Sequence, residues 1–227
     1  NNQLTFSILR ILADGRFHSG ESLAQQFNVT RTTIWSAIKY AESLGVQIFS
    51  VRGKGYKLPQ ALQLLNHERV LTAIGEQRAW FKLELHETLE STNSTLMKKA
   101  AQGAPHASCV TALIQTKGKG RRGRSWQAGL GASLTFSLLW RFQCGASALS
   151  GLSLAVGVAM IRALHAVGLT QVRLKWPNDV LVPNQQQQAQ KLAGILIELQ
   201  GDMEGPSAAI IGIGLNLDLP ESTRQQI

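Results

Sequence analysis

The spacing of apolar residues changes near Pro59, and this change divides the chain into two differently built parts. Before Pro59, apolar residues recur three to four positions apart, as on one face of a helix. After it, strand-like runs dominate, at 81–85, 109–115, 133–140, 172–176, 192–199 and 208–214. One long apolar helix is predicted at 147–167. The sequence therefore predicts an α+β protein, with one domain at 1–60 and a mixed α/β domain at 67–227.

The first domain has the pattern of a winged helix-turn-helix. Three short helical stretches are separated by Gly15 and by a turn at 28–29, and Thr30 is a good N-cap for the third. A hairpin that turns at 52–55 follows. In this fold the start of the third helix enters the major groove of DNA, and the hairpin tip touches phosphates. The candidate DNA contacts are Arg31, Thr32, Thr33, Trp35, Arg52 and Lys54. The alternative is a small protein-interaction module with a solvated basic face.

The charge balance favours an anionic partner. Lys and Arg number 23 against 14 Asp and Glu, a net charge of +9. A nucleic acid, a nucleotide or an acidic protein suits that charge, although a basic, soluble surface has the same composition. Two cysteines give no disulfide framework and favour a reducing compartment, the cytoplasm. The richest apolar run, 151–161, is shorter than a span of about 20 residues, so no membrane partner is expected.

A glycine- and arginine-rich segment at 117–125 follows the predicted strand at 109–115. Five of its first eight residues are basic and three are glycines. Glycines let backbone N–H groups approach an anion, and arginine forks match phosphate oxygens. A flexible basic surface loop is the alternative. The spacing also approaches that of a P-loop, but a strand pattern rather than a helix follows, so that interpretation is rejected.

A second polar segment, Lys-Trp-Pro-Asn-Asp at 175–179, ends a predicted strand with a turn, and Lys191 opens another strand. Both positions suit a cleft that receives an anion, but on spacing alone an ordinary turn and an edge-strand lysine are favoured. The five histidines lack metal-ligand spacing, so no metal site in the protein is predicted. Cys109 lies in an apolar strand and is predicted to be core rather than nucleophile.

Together these segments resemble the bifunctional biotin–protein ligase and biotin operon repressor family. The resemblance rests on Ser91-Thr92-Asn93, on Gln115 with 118–124, and on 175–179, 191–195 and 212–216, behind a winged helix with Gly-Lys-Gly-Tyr at 53–56. It covers nearly the whole chain, and the order of the motifs is more specific than any one of them. It implies a mixed α/β ligase domain after the winged helix. The family's small SH3-like C-terminal domain has no counterpart in this sequence, which predicts a fragment that binds biotin but ligates poorly.

The resemblance implies two-step chemistry with biotin and ATP, the latter with Mg²⁺. Biotin attacks the α-phosphorus to give biotinyl-5′-AMP, and a lysine of a biotin carboxyl carrier protein then attacks the mixed anhydride. The implied catalytic residues are Arg121, Lys191, which neutralises the carboxylate and α-phosphate, and Asp179, which orients or deprotonates the incoming lysine. The implied ligand-binding residues are Ser91, Thr92, Asn93, Gln115, Gly118, Gly120, Arg121, Arg122, Trp126, Lys191 and Asn216. The first four hydrogen-bond the ureido ring side of biotin; Trp126 packs near adenine or shields the loop.

The resemblance also implies regulation. The adenylate orders loops, the chain forms a homodimer through the central domain, and the dimer binds operator DNA, with a coupling that is typically ~1–3 kcal/mol and reciprocal.

The sequence departs from the family pattern at two places, Lys119, where the family commonly has Arg, and a long Gln-rich loop at 185–190. Two other functions stay open. One is a transcription factor whose second domain senses a small molecule without chemistry, and the other is a lipoate–protein ligase.

Overall fold

The fold is taken from a computed structural model that describes residues 2–184, 188–201 and 204–217. The chain divides into two compact units, Asn1–Leu65 with Gly129–Gly131, and Asn66–Ala128 with Ala132–Ile227. A helix-start signal at 220–222 and the glutamines at 185–187 lie outside the described residues.

The first unit consists of three helices and a hairpin. Its elements are α1 Asn2–Leu12, α2 Gly20–Gln26, α3 Arg31–Ser43, β1 Phe49–Val51 and β2 Gly55–Lys57. Ser19 and Thr30 cap α2 and α3, since each side-chain oxygen accepts a backbone N–H, and this confirms two sequence predictions. A single backbone bridge joins His18 to Tyr56 of the hairpin. The apolar faces of the helices form a core that includes Phe6, Leu9, Ile34 and Ile38.

The second unit is built on one eight-stranded mixed sheet. Its helices are α4 His67–Ile74, α5 Thr92–Ala101 and α6 Leu152–Ala166. Its strands are β3 Lys82–Leu89, β4 Ser108–Lys119, β5 Ser125–Ala128, β6 Ser133–Phe142, β7 Arg173–Lys175, β8 Asp179–Pro183, β9 Ala189–Gly201 and β10 Ser207–Asn216. The order is β3-β4-β6-β10-β9-β8-β7, with β5 paired to β4. Only β3 and β4 are parallel among these described pairs. The predicted α+β class is confirmed.

Helix α5 packs its apolar face on the middle of the sheet. Leu96 and Ala100 lie in one buried cluster with Val110, Leu139 and Ile210 of three neighbouring strands. Burying such side chains contributes about 1.5–3 kcal/mol each. This packing fixes the N-terminus of α5, where the Ser91-Thr92-Asn93 motif lies, over the sheet.

Several element boundaries differ from the sequence prediction. Strand β4 runs on to Lys119, and β5 follows it, although both stretches were predicted as loop. Gly118 makes this possible because its backbone lies against β5, where a Cβ would sit 2.3 Å from the carbonyl oxygen of Trp126. Strand β8 and helix α4 were not predicted, and Gln190 lies in β9 rather than in a loop.

The long apolar helix also differs from its prediction. It begins with a separate 3₁₀ turn, Ala146–Leu149, and α6 starts at Leu152 rather than at Ser147. The stretch Ala146–Ala166 is 21 residues long and apolar enough to cross a membrane. The sequence analysis underestimated the length of this apolar stretch because it counted only residues 151–161. A single helix of this kind is weak evidence for a membrane span, and only 11% of its apolar stretch is buried in the structure.

Candidate active site

A cleft in the second unit collects most of the predicted ligand-binding residues. It is formed by the N-terminus of α5, the ends of β4 and β5, the segment 120–124, and the middle of β9 and β10. Its enclosed volume is about 50 Å³, and it adjoins wider cavities of about 400 and 990 Å³ that the segment 120–124 also lines. The predicted residues that line it are Ser91, Thr92, Asn93, Gln115, Gly120, Arg121, Trp126 and Lys191.

Neutral hydrogen-bonding groups form one end of this cleft. The backbone N–H and the hydroxyl of Thr92 both donate to Gln115 Oε1, at 2.7 and 3.1 Å. Ser91 is the N-cap of α5, and its Oγ accepts the N–H of Ser94 at 3.3 Å. Ser91 and Thr92 are buried, so this end is rigid and largely dry. It suits an uncharged polar group of a ligand.

Glycines in the interior of β9 and β10 flatten the floor of the cleft. A Cβ on Gly214 would lie 2.2 Å from the indole of Trp126, and one on Gly212 would lie 2.2 Å from Asn93 Oδ1. A Cβ on Gly194 would meet the same indole at 3.0 Å. The glycines therefore admit the Trp126 and Asn93 side chains, which is the close approach that glycine in a strand permits.

Lys191 and Asp179 form an ion pair at the other end. Lys191 Nζ lies 3.0 Å from Asp179 Oδ1, and each side chain is 25% exposed. The contact is a charge pair rather than an aligned hydrogen bond, because that Oδ1 has no hydrogen-bond partner in the described part of the chain. Nζ also lies 5.4 Å from the centroid of the Trp126 ring. Asn216 Nδ2 donates to the backbone oxygen of Lys191 at 3.0 Å and steadies this strand.

The arginine segment closes over the cleft through one side-chain contact. Arg121 Nη1 donates to Asn178 Oδ1 at 2.8 Å, and Asn178 is itself bonded to the backbone of Ile195 in β9. Arg122 has a left-handed backbone, with φ 56° and ψ 37°. Its side chain is exposed and lines wider pockets beside the cleft rather than the cleft itself. The segment is therefore a cationic flap joined to the sheet at Asn178.

Not all cations of the segment are free for a ligand. The ammonium of Lys117 donates to Glu90 at 2.6 Å, and this hydrogen bond lowers the pKa of the Glu90 carboxyl. Gly118 is buried in the β4–β5 pairing and lines a wider pocket beside the cleft rather than the cleft itself. Lys119 lines the cleft.

The sequence analysis missed three polar residues as site residues, one that lines the cleft and two that lie behind it. Asn178 lies inside the recognised 175–179 segment, which was a usable signal. Ser137 and Glu198 belong to strands β6 and β9 and contact Asn93. No short-range pattern marks them, because their partner lies 44 and 105 residues away in sequence.

The described residues offer no metal cluster, and Cys109 in the second unit is not a reactive thiol. No group of three His, Cys, Asp or Glu within the described ranges could hold an ion. Burial raises the pKa of Cys109 to about 11, so its thiol stays protonated at neutral pH and is a poor nucleophile.

The candidate DNA-contacting residues lie on the surface of the first unit. Arg31, Thr32 and Trp35 are exposed at the start of α3, Trp35 by 52%. The hydroxyl of Thr33 lies 2.9 Å from that of Thr30, so it takes part in the helix cap. The hairpin tip is also exposed, and it carries Arg52 and Lys54.

These features define a protein with a helix-turn-helix unit and a mixed-sheet unit that carries a cationic, glycine-floored cleft. A sequence model of the HTH domain matches residues 5–57, and one of the biotin/lipoate A/B protein ligase family matches residues 85–216. The chain belongs to the biotin/lipoate A/B protein ligase family.

Curated relatives match the chain over most or part of its length. The chain is 36% identical over 217 residues to the bifunctional ligase/repressor BirA of Escherichia coli K12, covering 96% of this chain and 64% of that relative. It is 37% identical over 149 residues to the biotin--[acetyl-CoA-carboxylase] ligase of Mycobacterium tuberculosis, covering 63% of this chain and 52% of the relative. The chain thus spans less than two thirds of the length of these relatives.

Two solved structures share the fold of part of the chain. The biotin protein ligase from Aquifex aeolicus in complex with biotin and ATP matches with a TM-score of 0.50 and 31% identity, over 62% of this chain and 56% of that one. The biotin protein ligase from Leishmania major in complex with biotinyl-5-AMP matches with a TM-score of 0.50 and 26% identity, over 63% and 60%.

Proposed function

We propose that this protein is a cytoplasmic biotin–protein ligase that also represses transcription. It joins biotin to the α-phosphate of MgATP, releases pyrophosphate, and transfers biotin from biotinyl-5′-AMP to a lysine of a biotin carboxyl carrier protein. The adenylate-bound homodimer binds operator DNA. Its family membership and its likeness to the bifunctional relatives support this proposal.

The observation that carries the ligase proposal is the polarity of the cleft. Thr92 and Gln115 supply neutral hydrogen-bonding groups at one end, while Arg121 and Lys191 supply positive charge at the other. Biotin has the matching polarity, with a neutral ureido ring at one end and a carboxylate at the other. Holding both reactants in one cleft removes much of the orientational cost of the first step.

The cations have a defined task in the first step. A carboxylate oxygen approaches the α-phosphorus of a triphosphate, so negative charge gathers where the two reactants meet. Lys191 and Arg121 stabilise that charge in the transition state, together with the Mg²⁺ that arrives bound to ATP. Asp179, once Lys191 turns to the substrate, orients the ammonium of the acceptor lysine; this group loses a proton, its amine attacks the acyl carbon of biotinyl-5′-AMP, and AMP leaves.

The first unit carries the repressor proposal. Its exposed α3 face and basic hairpin tip suit the major groove and the phosphates of an operator. The +9 net charge of the chain favours the same partner.

Biotin-dependent ATP–pyrophosphate exchange tests the ligase proposal. We expect exchange with biotin, and a loss of about 10- to 100-fold in Lys191→Ala, because a hydrogen bond to a charged group is worth about 1.5–3 kcal/mol. Lys82→Ala, an exposed lysine on β3, is the matched control. Exchange with lipoate alone would select a lipoate ligase. In the complete protein, binding of biotin without exchange would select a non-enzymatic sensor.

A further inference from the structure

A chain of polar side chains runs from the neutral end of the cleft to a carboxylate on β9. Thr92 contacts Ser137, Ser137 contacts Asn93, and Asn93 contacts Glu198, with heavy-atom distances of 2.8, 2.6 and 2.8 Å. Ser137 is fully buried and Asn93 is 3% exposed. Polar groups buried to this degree are held firmly, because leaving any one of them unpaired is costly.

Glu198 fixes which way Asn93 faces. The Nδ2 group of Asn93 donates to Glu198 Oε2 at 2.8 Å and to the backbone oxygen of Leu196 at 3.3 Å. A carboxylate and a carbonyl can only accept, so the amino group of Asn93 must lie on that side. Its Oδ1 is thereby turned toward Ser137. Gly212 leaves the room for this, because a Cβ there would collide with Asn93 Oδ1.

Ser137 transmits this orientation to the cleft. It has one proton and two acceptors, Asn93 Oδ1 at 2.6 Å and Thr92 Oγ1 at 2.8 Å. The Ser137 proton is shared between these two acceptors, and Thr92 Oγ1 has two lone pairs, so one of them stays available to a ligand. Ser137 thus holds Thr92 Oγ1 in place and leaves it able to accept a hydrogen bond from a ligand.

Gln115 completes the pattern with the opposite polarity. The backbone N–H of Thr92 can only donate, so the oxygen of Gln115 must face it, at 2.7 Å. The hydroxyl proton of Thr92 is directed to the same oxygen at 3.1 Å. The amino group of Gln115 has no hydrogen-bond partner among the described residues. The cleft therefore presents an acceptor, Thr92 Oγ1, next to a donor, Gln115 Nε2, which complements an N–H beside a C=O, as in a cyclic urea.

We propose that Glu198 is a positioning residue which, through Asn93 and Ser137, sets the cleft for the urea edge of biotin. The inference rests on the proposed function and deepens it, because it explains selection against a carboxylic acid without a urea, such as lipoate. Glu198 does not touch the ligand in this account. It acts by holding the hydrogen-bond direction of two buried side chains.

The test measures ligand affinity by calorimetry in Glu198→Gln, which keeps the size of the side chain but replaces the charged acceptor of Asn93 by a neutral amide that can also donate, so Asn93 is held less firmly. We expect the affinity for biotin to fall about tenfold, the worth of roughly one lost hydrogen bond to the ligand. The affinity for desthiobiotin, which keeps the urea but lacks the thiophane ring, should fall by the same factor. The affinity for ATP should stay within about twofold, since ATP binds at the cationic end.

Two further variants keep the test decisive. Ser137→Ala interrupts the same chain without changing charge and should also weaken biotin and desthiobiotin equally. Ser108→Ala removes another buried serine hydroxyl, which donates to Pro105 and lies outside the cleft, and should leave all three affinities unchanged. Melting temperatures confirm that each variant is folded.

Failure of the unmodified protein to bind biotin would remove the proposed function itself. Normal biotin binding by folded Glu198→Gln, or a loss for biotin that desthiobiotin does not share, would overturn only the role of Glu198.

Discussion

Lys191 and Asp179 hold each other in an ion pair, with Nζ 3.0 Å from Oδ1, at the end of the cleft where the proposed reaction gathers charge. In that reaction each has a different partner, a carboxylate and phosphate for Lys191 and an ammonium for Asp179. Binding of the anionic substrates must therefore exchange the partner of Lys191, which leaves Asp179 free for the acceptor. The pair links the two chemical steps at one place.

Substitution Asp179→Asn should separate the two steps. Lys191 keeps its charge, so formation of the adenylate should stay within about threefold. Transfer to the acceptor lysine should slow by about 10- to 100-fold, because a neutral amide attracts the incoming ammonium far less than a carboxylate does. Single-turnover measurements of pyrophosphate release and of biotin transfer check this. Glu68→Gln on α4, an exposed acid, is the control. Equal slowing of both steps would contradict the assigned role.

Substitution Gly214→Ala should dislodge Trp126 and destabilise the protein. The added Cβ would lie 2.2 Å from the indole, which cannot yield without leaving its place on the floor of the cleft. Overpacking of this kind costs about 1–3 kcal/mol. Chemical denaturation measures the free energy of unfolding, and Trp126→Phe identifies the fluorescence of this indole. Gly151→Ala is the matched control, because no atom lies within 4 Å of its Cβ position. A stability of Gly214→Ala equal to that of the control would refute the packing argument.

Local chemistry was readable from the sequence, while long-range contacts were not. The caps Ser19 and Thr30 were predicted correctly because a cap is decided within three residues. The extension of β4 to Lys119 was not predicted, because it depends on pairing with β5, which glycine-rich sequence conceals. Thr92 and Gln115 were predicted as ligand-binding residues from the family motifs, and both line the cleft.

The link from Asn93 to Glu198 joins residues 105 positions apart. Only the alignment of the strands brings them together. Sequence patterns of helix and strand carry no information about such a pair, because register across the sheet is set by the whole fold.

The ion pair between Glu84 on β3 and Lys99 on α5 should give a small, pH-dependent stabilisation. The Lys99 ammonium donates to Glu84 at 2.8 Å and lowers the pKa of that carboxyl from 4.5 in the folded protein. The stabilisation is therefore present above pH 4.5 and is lost as the pH falls through the folded-state pKa. Both side chains are more than a third exposed, so Lys99→Met should cost only about 0.5 kcal/mol at neutral pH.

Thermal unfolding across the acid range checks this prediction. The difference between Lys99→Met and the unmodified protein should shrink in acid, once Glu84 is protonated in the fold. Lys98→Met, the next residue on α5, should show no dependence on Glu84. A difference that persists undiminished in acid would assign the effect to lost packing rather than to charge.

The two free cysteines should differ in reactivity toward thiol reagents. Burial raises the pKa of Cys109 to about 11, so very little thiolate exists at pH 8 and the sulfur is poorly accessible. Native protein should therefore be labelled mainly at Cys144, as mass spectrometry of peptides would show. Both cysteines should react once the protein is unfolded in denaturant. Rapid native labelling of Cys109, with Cys144→Ser present to remove the other site, would show that β4 opens readily.

Operator binding should distinguish residues that touch phosphates from residues that touch bases. Arg52→Ala on the hairpin tip should weaken binding to all sequences alike and reduce the slope of log affinity against log salt by about 1. Arg31→Ala at the start of α3 should cost about 1–3 kcal/mol on the operator and much less on unrelated DNA. Fluorescence anisotropy over a salt series, with biotinyl-5′-AMP present, measures both, and Lys98→Ala in the second unit is the control. An affinity that is insensitive to salt, or that does not rise with the adenylate, would argue against the repressor role.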